Sequence, residues 1–165
     1  IGFNFSFLDD QNADNYYRLK LFSSCSKEYE EDDEIQVYSW QGYVEMMSND
    51  PSFPSGLPWD GYTFVGNKVL FSDALFNGEE KNIRIDIQTD GFRYDNCDTI
   101  KLQLSVFSSD TYSYYNSLSE HREKGQLNIF GGEVIPVYSN VQNGLGALIS
   151  TNAQMIAVKP QEGTD

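Results

Sequence analysis

The stretch "NIRIDIQ", residues 82–88, decides the fold class. Ile83, Ile85 and Ile87 alternate with Arg84, Asp86 and Gln88, the period of two that turns one set of side chains to a core and the other to water. "TIKLQLSVF", residues 99–107, repeats it, with Ile100, Leu102, Leu104 and Val106 inward and Lys101, Gln103 and Ser105 outward. Toward the N-terminus, "GFNFSFL" aligns Phe3, Phe5 and Phe7, and "YYRLKLF" aligns Tyr17, Leu19 and Leu21. These two strands read as a hairpin-like pair across "DDQNADN". Shorter strands are expected at 35–40, 43–47, 68–71, 133–138, 145–150 and 154–158.

The composition agrees with that reading. The 11 Phe and 11 Tyr among 165 residues suit a pleated, half-buried surface better than a helix. A chain of this length can bury one core of its own. A helix is expected at one place, 110–124, where Tyr112, Tyr115, Leu118 and Arg122 form a stripe at three- and four-residue spacing. Ser109 or Asp110 can cap its first turn, His121, Arg122 and Lys124 suit its negative end, and Gly125 follows. The segment 48–66, "SNDPSFPSGLPWDGYTFVG", holds three of the five prolines and reads as a long loop. Short strands with one helix predict a mainly β fold, an antiparallel β-sandwich with one short α-helix. A single domain over residues 1–159 and a disordered polar tail at 160–165 complete the expected organisation.

A formal charge of -14, with acidic runs at 9–14, 28–34 and 79–80, repels polyanions and excludes nucleic acid and anionic membrane surfaces as expected partners. No apolar run approaches the roughly 18 residues a membrane-spanning helix needs. The chain begins at Ile1, inside an alternating pattern, and reads as part of a longer protein. Cys25 and Cys97 are an even pair, bridged in an oxidising compartment or else two buried thiols.

Catalytic signatures are sparse. The one histidine, His121, sits in the last turn of the expected helix, where a solvated or dipole-satisfied role accounts for it. Two cysteines 72 positions apart do not make a clustered zinc motif, and G-x-S-x-G, Walker and G-x-G-x-x-G strings are missing. In "DDQNADN", Asp10, Asn12 and Asp14 alternate like the first oxygen ligands of a calcium loop. The central glycine and closing glutamate of that motif are replaced by Asn15 and Leu21, so a turn between strands is the main expectation and a Ca²⁺ site there the secondary one. Trp40, Trp59 and Tyr62 fall in or beside expected loops, where rings can stack on sugar faces. They are the expected ligand-contact residues; no catalytic residue is expected.

Near the C-terminus stands "IPVYSNVQNGLG", residues 135–146. Its asparagines and glycines tolerate positive φ and describe a chain reversal. It resembles the "P-V-x-V-Y-S-N-[IV]-x-x-G-L-G" string of the domain-of-unknown-function family 4249 of Bacteroidetes. "FSDALFNGEE", residues 71–80, and "LSVFSSDTYSYYNSLSEHRE", residues 104–123, resemble that family's further segments in order and spacing. The family places aromatics after its glycines, where this chain has Ala147 and Leu148.

The resemblance implies a secreted lipoprotein of the cell envelope, in the outer membrane, the periplasm or at the cell surface, anchored by an N-terminal lipid outside this chain and often encoded beside TonB-dependent receptors. The chain is then the C-terminal part. It brings no catalytic residue. The expected function is therefore a non-catalytic binding or accessory module helping such a receptor capture a glycan or peptide. The alternatives are a structural or assembly protein of the envelope without a small ligand and, more remotely, a carboxylate-based hydrolase.

Overall fold

The computed structural model describes residues 2–53, 58, 59, 62–87, 97–125 and 135–158. Among these residues, ten strands and one helix follow in order: β1 (Gly2–Leu8), β2 (Tyr16–Glu31), β3 (Glu34–Tyr43), β4 (Met46–Met47), β5 (Pro58–Trp59), β6 (Tyr62–Gly66), β7 (Lys68–Ser72), β8 (Glu80–Ile87), β9 (Cys97–Phe107), α1 (Ser109–Gly125) and β10 (Thr151–Val158). Neighbouring strands run antiparallel in two sheets. One has the order β1-β8-β4-β6-β5; the other has β10-β9-β2-β3, with β7 also paired to β2. The mainly β, two-sheet architecture with a single helix among the described residues matches the expectation.

The alternating sets meet where the period demands. Ile83, Ile85 and Ile87 of β8 pack with Tyr17, Leu19 and Leu21 of β2, Val69 and Phe71 of β7, and Ile100 and Leu102 of β9 in one buried cluster. Phe3, Phe5 and Phe7 close it from β1. At roughly 1.5–3 kcal/mol for each large apolar side chain taken from water, this shared inner layer is what joins the sheets.

The outer face of the second sheet carries α1. Tyr112 stacks on Tyr16 at 4.5 Å and Tyr115 on Phe107 at 5.5 Å. The Arg18 guanidinium lies over the Phe107 and Tyr115 rings, at 4.8 and 5.3 Å from their centroids.

Four expectations are corrected. β1 and β2 do not form a hairpin: β1 pairs with β8 and β2 with β3, β7 and β9, because their apolar faces are used on opposite sides of the core. The helix cap is Ser108, whose Oγ accepts from Thr111 N at 3.3 Å, leaving Asp110 for another task. Residues 135–138 and 145–150 are not strands, and residues 133 and 134 lie outside the described ones. The segment 48–66 is not one loop. Phe53 enters the core against Phe71 at 5.1 Å, Lys81 and Asp50 form a largely buried ion pair at 2.8 Å, and β5 and β6 pair with each other. The expected tail at 160–165 lies outside the described residues.

Candidate functional site

Three polar constellations stand out, and two of them hold the chain to itself. In the first, the β1–β2 connection is clamped to the β7–β8 connection. Asp9, 5% exposed, accepts from the Tyr17 hydroxyl and from Gly78 N at 2.9 Å. Buried Asp73 accepts from Asn15 N, and its own N–H donates to Asn15 O at 3.1 Å. Burial first, then the hydrogen bond to Asp9, pushes the Tyr17 hydroxyl well above the ordinary tyrosine range. Gly78 has φ +77, and a Cβ there would lie 2.4 Å from Gln11 Cβ; a side chain is barred on both counts. "FSDALFNG" is thus a lock built from Asp73, Phe76 and Gly78.

In the second, the loop 138–150 is seated on α1. Tyr138 Oη donates to Asp110 Oδ1 at 2.7 Å, and Tyr138 N donates to Ser117 Oγ at 2.8 Å. The Asn140 carboxamide accepts from Leu148 N at 2.8 Å and donates to Leu148 O at 3.0 Å, copying a backbone pair. Its amide also donates to Asp110 Oδ2 at 3.3 Å. These bonds, Tyr138 first, hold the Asp110 carboxyl below its ordinary value and raise the Tyr138 hydroxyl. His121 donates a ring N–H to Ile135 O at 2.7 Å, which accounts for the lone histidine structurally. Asn143 and Gly146 take φ of 57° and 122°, the reversal that the glycine-rich string anticipates. Its signal is a loop pinned to a helix rather than a strand.

"DDQNADN" behaves as a turn. Asp10 Oδ1 accepts from Asn12 N at 3.0 Å and Asn12 Nδ2 at 2.9 Å, and both bonds lower the Asp10 pKa. The structure brings Asp10 and Asn12 together, and Asp14 is exposed on the same connection. Among the described residues no group of three or more His, Cys, Asp or Glu is arranged to hold a metal.

The third constellation is turned outward. Past Cys25 and Trp40, β2 and β3 continue as a two-stranded ribbon whose residues 26–39 are exposed on both faces. Asp32 and Asp33, with φ of 53° and 62°, close it with the two-residue turn that matches strand twist. At its base, β9 is tied on by a disulfide between Cys25 and Cys97, which resolves the alternatives left by the sequence.

Trp40 pairs with Cys25 across the ribbon and stacks on Tyr38 at 5.6 Å. Around it opens a crevice of about 570 Å³ lined by Ser24, Cys25, Ser26, Ser39, Trp40 and Gln41. Trp40 therefore lies in a strand, not beside a loop, because the β2–β3 register carries it. Trp59 and Tyr62 are backbone partners in the β5–β6 hairpin; their side chains lie outside the described residues. The ribbon is the element that sequence reading missed. Its signal was present in the mirrored "SSCSKEYEE" and "EIQVYSW" around "DD", but acidic residues on both faces hide the alternation.

The model of a family described as Domain of unknown function (DUF4249) matches residues 1–156. No curated protein and no solved structure matches the chain.

Proposed function

The chain belongs to the DUF4249 family, and from that premise we propose that it is a non-catalytic binding module of a bacterial cell-envelope lipoprotein, assisting a TonB-dependent receptor in capturing a glycan. The observation that carries this reading is the Trp40 crevice. An indole stacked with a phenol on one face of the ribbon offers an apolar platform for a sugar face. The Cys25–Cys97 bridge supports a place outside the reducing cytoplasm. The two other constellations among the described residues are consumed in holding loops.

The test is a glycan array probed with the folded chain and its Trp40→Ala variant. Selective binding lost in the variant is the expected result; a chain that binds no glycan, or a variant that binds as before, overturns the reading. An assembly role is favoured by one separate observation, the fully exposed Leu145 with Leu148 at the loop tip beside β10. Cross-linking through that loop, without glycan binding, is the outcome that selects it.

A further inference from the structure

The outer face of the second sheet concentrates cations in a chain of net charge -14. Lys20 of β2 sits directly opposite Lys68 of β7 and, on its other side, opposite Gln103 of β9. Lys101, two residues from Gln103 and opposite Phe22, is the diagonal neighbour of Lys20, about 7–8 Å away between Cβ atoms. Arg18 lies on the same face two residues before Lys20, against the Phe107 and Tyr115 rings and with its buried Nε lacking a hydrogen-bond partner. Burial, then Arg18 and Lys68, depress the Lys20 pKa. A carboxylate would act in the opposite sense, and none contributes.

Like charges directly opposite in a sheet are destabilising, and 25 acidic residues elsewhere in the chain were available to relieve them. On the strands described, the β2 carboxylate nearest to Lys20 on this face is Glu28, about 26 Å along the strand. The neighbouring β10 positions on the same face are Ala153, Met155 and Ala157. A cation cluster kept at a cost in stability, with no carboxylate nearer than Glu28 among the described strand positions of this face, marks a place for an external counter-charge.

We propose that this face binds a compact anion, with Lys20 at its centre, Lys68 and Lys101 flanking it, Arg18 at its helix-ward edge and Gln103 donating a neutral hydrogen bond. The strongly negative charge of the whole chain turns away extended polyanions, so the ligand is a small molecule bearing a phosphate, sulfate or carboxylate group. The site is independent of the Trp40 crevice, which lies on the ribbon.

Calorimetric titration of the full chain at low salt with glucose 6-phosphate, glucose 6-sulfate and glucuronate, and with glucose as the neutral probe, tests this. At least one charged sugar is expected to bind with a submillimolar Kd, glucose not to bind at this face, and the preferred group identifies the source of the anion. Lys20→Gln and Lys68→Gln should each weaken that binding at least tenfold. Each should also raise the melting temperature of the ligand-free chain, because the opposed charges are relieved. Lys27→Gln, on the ribbon, should leave binding unchanged. Failure of all three charged sugars to bind below millimolar concentration overturns the proposal. So does binding that persists in both lysine variants, or a fall in their melting temperature without a change in affinity. Trp40→Ala separates the two sites: it should remove glycan binding at the crevice and leave anion binding intact.

Discussion

Removing one oxygen from the protein interior tests the β1–β2 clamp. Tyr17→Phe keeps the ring that packs on Phe7, Phe71 and Phe76 and deletes the hydroxyl that donates to Asp9. Asp9 would retain Gly78 N as a donor at 2.9 Å while remaining buried. A hydrogen bond to a charged group contributes about 1.5–3 kcal/mol, so a loss of about 2 kcal/mol is expected. For a domain of this size that lowers the melting temperature by roughly 4–8 °C.

Urea denaturation at pH 7, with the slope unchanged, is the assay. The same variant has a pH signature. The Tyr17 hydroxyl is raised in the folded chain, by burial first and by Asp9 next, above the ordinary value of 10.0. Its contribution is therefore complete below about pH 10, where the unfolded chain also keeps the proton, and is lost as pH rises from there toward the folded pKa. The gap between wild type and Tyr17→Phe should narrow above pH 10. A loss below about 0.5 kcal/mol at neutral pH, or a gap that widens at alkaline pH, would refute the reasoning.

Two further outcomes follow from the other cross-links. Replacing both cysteines of the Cys25–Cys97 bridge with serine reopens a loop of sequence separation 72, for which chain entropy predicts a cost of about 4 kcal/mol; guanidinium denaturation showing less than about 1 kcal/mol would rule that account out. Asn140→Ala removes both bonds to the Leu148 backbone and should cost about 1 kcal/mol. Hydrogen exchange should then speed up at the Leu148 amide, and unchanged protection there would show that the loop does not depend on Asn140.

Period-two alternation was sufficient to predict β8, β9, the core set of Ile83, Ile85, Ile100 and Leu102, and the two-sheet class, because burial on one face of a pleat is written residue by residue. The helix was equally legible, one residue short at each end, since its stripe and closing glycine are local features. The family motifs were visible as strings, but not their purpose. Asp9 reaches Gly78, Asp73 reaches Asn15 and Asn140 reaches Leu148, and no spacing rule pairs side chain with backbone across such separations.

Tertiary structure alone decided the strand order, the disulfide, the placement of Trp40 in a ribbon and the gathering of Lys20, Lys68 and Lys101 on one face. Each depends on which distant strand lies alongside. That choice follows from the fit of whole apolar faces around one core, a property of the assembled sheets that no single stretch carries.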